Sequence, residues 1–293
     1  MHIPFFSSKR LLRYALIAPA LIWVIVFMIF PLIYSLNLSF QTWQPPEPPI
    51  YVGLKNYIEM LSDERFGNAL QNTSIFTIGT VATEMAIGLL VALSISRLKP
   101  RIAEKVNVVS VIPIVMTPVI TGILWRMIMH GDYGILNYYL SMLGLGRYSW
   151  LSDPKLTLFS NMIVDIWHWT PFVALAFTAG ISAIPREPLE AAQLDGASYW
   201  QTFKNIMLPY LRTILMLVLL LRVVEAILFF DINFILTKGG PGVRSEMVSL
   251  YVYKNAFWFW NLGYSSALSY IVLIIADIIG MALFFIVIGR KRK

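Results

Sequence analysis

The sequence predicts an all-α membrane protein with six transmembrane helices. Two observations carry this. Of 293 residues, 58% are hydrophobic and only 13% charged, against about 25% charged in a soluble domain. The apolar excess is also segmental. Runs near the about 20 residues needed to cross a bilayer core recur between clusters of Pro, Gly and charge.

The predicted spans cover residues 12–36, 74–96, 106–128, 158–181, 213–236 and 264–288. The first is too long for a signal-peptide core and further spans follow, so it reads as a retained helix. Orientation follows from the Lys and Arg between spans. Fourteen lie on the side that holds Lys9, Arg97, Arg186, Lys204, Arg212 and residues 290–293; seven lie on the other. The richer side is therefore cytoplasmic, with both termini inside. Residues 1–11 are expected as a cytoplasmic tail and 12–293 as one transmembrane domain. The net charge of +7 is then a topology signal, and no nucleic-acid partner is expected; membrane lipid surrounds the chain. The absence of cysteine excludes disulfides and thiolate sites, and with three scattered histidines no His-based metal cluster is expected.

Between the first two spans, Pro45, Pro46, Pro48 and Pro49 favour extended chain, and residues 56–70 have near-helical apolar spacing. Residues 130–155 are interrupted by four glycines. Residues 237–261 open with Gly239-Gly240-Pro241-Gly242, which demands a sharp turn, and continue with Tyr251, Tyr253, Phe257, Trp258, Phe259 and Trp260. Those aromatics suit an interfacial belt, with a docking or pore-lining role as the alternative.

The cytoplasmic stretch at about 185–212 is the most informative. Its first part begins near Glu187-Pro188, with Pro and acids where a helix start favours them. It ends at Gly196, which takes a left-handed turn at no steric cost. Ser198 followed by Gln201 is a capping-box pattern that starts a second helix. Trp200, Phe203 and Met207 then share one apolar stripe, and Pro209 is expected to stop or kink the element. A compact helix–turn–helix with an aromatic stripe suits docking to another protein or resting on lipid headgroups.

The order Glu190-Ala191-Ala192-x-x-Asp195-Gly196-Ala197, then Phe203, Ile206, Leu208 and Pro209, resembles the EAA loop of permease subunits from ATP-binding cassette (ABC) importers. Asp195 before Gly196 is similar to the carbohydrate-uptake branch, the relatives of the maltose transporter. Val52-Gly53-Leu54-x-Asn56-Tyr57, Asn72-Thr73, Pro113, Pro118-Val119, Trp169-x-Pro171-Phe172, Phe230-Asp231, Thr237-x-Gly239-Gly240-Pro241 and Gly263-Tyr264-x-Ser266-Ala267 agree with it, in order, over nearly the whole chain. Thr213 stands where the family commonly has proline, and the large outer domain of some maltose-type subunits is lacking.

The resemblance implies the type I importer permease fold and a multi-pass place in the bacterial inner membrane. It implies a second permease as partner, usually in a heterodimer, two cytoplasmic ATPase subunits, and an extracytoplasmic solute-binding protein. Coupling to the ATPases falls to Glu190, Ala191, Ala192, Asp195, Gly196, Phe203, Leu208 and Pro209, with Trp200 added from the stripe. The chain has no G-x-x-x-x-G-K-[ST] loop, so it is read as non-catalytic and without a cofactor of its own, ATP and Mg²⁺ belonging to the ATPases. The solute is a sugar, polyol, sugar acid or sugar phosphate.

Glu84, Arg126, Asp165, Arg222, Glu225, Asp231 and Asp277 fall in or near the spans. Charges in lipid are costly, so these should face protein or water. Arg222 and Glu225 are spaced to pair on one helix face. Asp165, Trp167, Trp169, Glu225, Asp231 and Asn233 are the candidate pathway residues, because a ring covers the C–H faces of a sugar while a carboxylate accepts its hydroxyl hydrogens. An ion-coupled secondary transporter using intramembrane acids is the competing class; it has no need of an ATPase dock.

Overall fold

The computed structural model describes residues 9–289. The predicted tail is thus seen only from Lys9, where helix has already begun; residues 1–8 and the basic cluster at 290–293 lie outside the described residues. Five helices are long and apolar enough to cross a membrane, or six if one bent pair is counted as a single span.

Two compact units are present. One joins the described part of Met1–Asp63 to Val252–Ile271. Here α1 (Lys9–Val24) passes through a π turn (Ile25–Ile29) into α2 (Phe30–Ser39). Its apolar residues, such as Leu21, Trp23, Phe27 and Ile33, are exposed, as suits a helix bathed in lipid. The Pro-rich segment is not the extended chain expected: it turns at Pro45-Pro46, where the Glu47 N–H donates to the Gln44 carbonyl at 3.1 Å, and its flanks pair as antiparallel strands β1 (Gln41–Thr42) and β2 (Ile50–Tyr51). After them comes α3 (Lys55–Leu61). Buried Asn56 at its start donates from Nδ2 to the Ser39 carbonyl at 2.9 Å and the Gln41 carbonyl at 2.8 Å, tying the strand to α2. Phe257, Trp258, Phe259 and Trp260 remain exposed, in keeping with an interfacial position.

The other unit holds Glu64–Tyr251 and the chain from Val272. Its centre is α4 (Glu64–Ile95), α9 (Thr157–Ser182) and α12 (Leu208–Ile227), each packed on the other two. Gly88 lets α4 approach α9 closely: a Cβ there would lie 2.6 Å from Val173 Cγ1 and 3.1 Å from the Ala174 backbone nitrogen. Close approach through small residues is the usual basis of helix association in lipid. α14 (Val248–Phe257) and α15 (Leu262–Gly289) complete the chain.

Two predicted spans differ from expectation. The stretch 106–128 is not one helix. α5 (Pro100–Ser110) and α6 (Ile112–Val115) are followed by α7 (Pro118–Ile128) after a bend of 92°. Met116 and Thr117 are extended there; for Thr117 the cause is Pro118, since a residue before proline is disfavoured from the helical region. The stretch 213–236 is also interrupted: α12 ends at Ile227, and α13 (Asp231–Leu236) starts after a short break and packs on α7.

Pro209 neither stops nor kinks the chain into a separate element. α11 (Tyr199–Thr202), a π turn (Phe203–Met207) and α12 follow without a gap, within one apolar run of 38 residues, Tyr199–Leu236. In a regular helix the proline ring would strike the carbonyl of the residue four before it. The π turn relieves this, since the Leu208 N–H reaches back to the Phe203 carbonyl, five residues away. Pro31 follows its own π turn in the same position.

Candidate functional site

The first candidate site is the hairpin of α10 (Arg186–Leu194) and α11. Its turn is built as the sequence predicts. Gly196 has φ +73°. The Ala197 N–H donates to the Ala192 carbonyl at 2.9 Å and the Gly196 N–H to the Gln193 carbonyl at 3.1 Å, which is the paired closure of a Schellman motif. Two residues on, the Ser198 N–H donates to Gln201 Oε1 at 2.7 Å and the Gln201 N–H to Ser198 Oγ at 3.3 Å, closing the capping box.

One face of the hairpin is anchored. Phe203 and Met207 are buried with Ile184 and Leu211, against Leu89 and Leu93 of α4 and Ile181 of α9. The Arg97 guanidinium lies 4.0 Å above the Tyr199 ring. The predicted stripe is therefore divided: Phe203 and Met207 turn inward, while Trp200 is 65% exposed and stacks on Phe203 at 5.5 Å. Ala192 is buried against the body, Leu208 is half-buried, and Pro209 is exposed. The free face carries Glu190, Ala191, Leu194, Asp195, Gly196 and Trp200. It is an acidic, partly aromatic knob on a turn held from both sides. α11 continues through the π turn into α12 without a gap.

The second candidate site lies where α4, α9 and α12 meet. Arg222 is 1% exposed and makes a two-pronged pair with Glu84, Nε to Oε2 at 2.7 Å and Nη2 to Oε1 at 3.0 Å. Nη2 also donates to Asp165 Oδ2 at 3.0 Å, and Nη1 to Glu225 Oε2 at 3.1 Å. The Trp169 ring lies 4.4 Å from the guanidinium carbon, a cation–π contact. The expected Arg222–Glu225 pair is thus present, with two further carboxylates that local spacing does not reveal. A buried guanidinium needs such partners, since desolvation of an unpaired one is prohibitive.

The predicted pathway residues separate on this geometry. Glu225 is half-exposed. Trp169 and Trp167 are half-buried, Trp167 meeting Trp125 edge-on at 5.6 Å. Asp231 is exposed at the first turn of α13. Asp165 and Asn233 are both buried, at 0% exposure. Asp165 serves Arg222. Asn233 Nδ2 donates to the Ser245 carbonyl at 2.8 Å and to Asn161 Oδ1 at 3.2 Å, holding α13 to α9 and to the loop that follows α13. A short polar residue at a helix break is as well suited to satisfying backbone as to lining a path. Among the described residues no group of His, Cys, Asp and Glu is arranged to hold a metal.

With this geometry in hand, the chain can be set beside known proteins. Residues 65–292 match the family described as binding-protein-dependent transport system inner membrane component. The chain is 35% identical over 289 residues to the trehalose/maltose transport system permease protein MalF of Thermococcus litoralis, covering 96% of this chain and 95% of that one. It is 31% identical to the sulfoquinovosyl glycerol transport system permease protein SmoG of Agrobacterium fabrum, covering 90% and 86% of the two chains. A solved bacterial ABC transporter involved in import of the acidic polysaccharide alginate shares the fold at TM-score 0.81, with 22% identity over 94% of each chain. The chain therefore belongs to the inner-membrane component family of binding-protein-dependent transport systems: it is an ABC importer permease.

Proposed function

We propose that this permease forms half of the translocation pore of an ATP-driven sugar importer. It pairs with a second, related permease as a heterodimer, receives solute from an extracytoplasmic binding protein, and is driven by two cytoplasmic ATPases. Sugar-transport names recur among its relatives, including an arabinooligosaccharide permease of Bacillus subtilis at 27% identity, which supports the carbohydrate class. The observation that carries the ATP-driven reading is the α10–α11 hairpin. Its turn is closed by a Schellman motif and a capping box, and its exposed knob is continuous with a membrane span. A secondary transporter has no use for such a knob.

Glu225, Trp169, Trp167 and Asp231 are proposed to face the solute path. A half-exposed carboxylate in a membrane helix is stable only beside water or protein. Trp169 lies against the same Arg222 that holds Glu225. In proteoliposomes holding the whole complex, uptake is expected to need both ATP and the binding protein. Uptake driven by an ion gradient without ATP would overturn this reading.

A further inference from the structure

Resting on the pathway reading above, we infer that the pathway carries a standing negative field and is built for uncharged polyhydroxy solutes, discriminating against sugar acids and sugar phosphates. The inference comes from how charge is distributed around Arg222. Its guanidinium is shared by three carboxylates. Two of these, Glu84 and Asp165, are buried, and the two-pronged pair with Glu84 alone matches the charge of the guanidinium. The third, Glu225, has 49% of its side chain exposed, so its charge is not needed to neutralise the cation and faces outward. Asp231 exposes another carboxylate where α13 begins. Arg222 cannot turn outward to meet an anion, because four of its N–H···O contacts and the Trp169 ring hold it at 1% exposure. Arg126, exposed on α7, donates from Nη1 to the Ile235 carbonyl of α13 at 3.3 Å and offsets part of this field. Neutral hydroxyls meet carboxylates as donors, whereas an anion pays Coulomb repulsion that low dielectric enlarges.

The chain has no cysteine, which permits a direct measurement of the field. Leu221 and Leu228 lie about one turn either side of Glu225 on α12 and its end, and are 51% and 50% exposed. Leu221→Cys and Leu228→Cys, each in the assembled complex in nanodiscs, are treated with methanethiosulfonate reagents that are neutral, cationic (trimethylammonium-ethyl) or anionic (sulfonato-ethyl). The cationic-to-anionic rate ratio, divided by that for a free thiol in solution, cancels any change in thiol reactivity and reads the summed field of all nearby charges. A ratio of at least about tenfold is expected, with Glu225→Gln lowering it several-fold while the neutral reagent's rate is unchanged. Reaction with all three reagents at the free-thiol ratio would overturn the inference and leave the pathway reading standing. Reaction at neither cysteine, even with the neutral reagent, would show that no water-filled path runs along this face and would remove the pathway reading itself.

Discussion

Gly196 is the position where a small local change should have the largest functional effect. Its φ of +73° is in the left-handed region, and a Cβ there would meet nothing within 4 Å. Gly196→Val therefore causes no clash with the rest of the molecule, and its cost is conformational alone. That cost is about 1–2 kcal/mol for a side chain in this region, and each 1.4 kcal/mol is about tenfold in population. If the turn escapes to another conformation, the bonds from Ala197 to Ala192 and from Gly196 to Gln193 are lost, and with them the angle between α10 and α11. Phe203, Met207 and Leu211 keep the α11 side anchored, so it is Glu190 and Leu194 that move relative to Trp200. The apparent affinity for an ATPase then falls by the fraction of hairpin still correctly formed. We expect Gly196→Val to insert normally, to co-purify less ATPase, and to lower ATP-driven uptake about tenfold. Gly196→Asn should lie close to wild type, because asparagine tolerates the left-handed conformation, with Gly196→Ala between. Complex yield and uptake measured on all three variants test this. Wild-type uptake by Gly196→Val at normal expression would show that this turn is not the coupling element.

Other predictions follow from the same geometry. Arg222→Met leaves Glu84 and Asp165 buried without their cation, and breaking such a pair costs about 3–5 kcal/mol; thermal unfolding in detergent should show a much larger loss for it than for Glu225→Gln, whose carboxylate is half-exposed. Gly88→Leu should push α4 from α9, since even a Cβ lies 2.6 Å from Val173; yield and melting temperature should fall, and a neighbouring Val173→Ala should recover part of the loss. Glu190→Ala, on the exposed knob, should weaken ATPase co-purification more mildly than Gly196→Val and leave melting unchanged. Reporter fusions after residues 100 and 205 should read cytoplasmic and those after 60, 145 and 250 external; an external reading at 205 would refute ATPase docking.

Local physics made much of this legible without coordinates. The capping box at Ser198 and Gln201, the left-handed turn at Gly196 and the pairing of Arg222 with Glu225 involve residues a few positions apart, whose geometry a helix dictates. The apolar runs at 74–96, 158–181 and 264–288 fall inside observed helices or within a residue or so of them, because bilayer thickness sets the length of an uninterrupted span. Only tertiary structure could decide the rest. Arg222 meets Glu84 and Asp165 across sequence separations of 138 and 57 residues, in a bundle where Gly88 lets α4 approach α9 and Gly180 lets α9 approach α12. Asn233 is occupied by Asn161 and the Ser245 carbonyl, a fate that a polar residue near a helix break cannot announce in sequence. The 92° bend at Met116 and Thr117 and the unbroken passage through Pro209 show the same limit. Proline marks where a regular helix is strained, and the surrounding packing selects whether the backbone breaks or widens into a π turn.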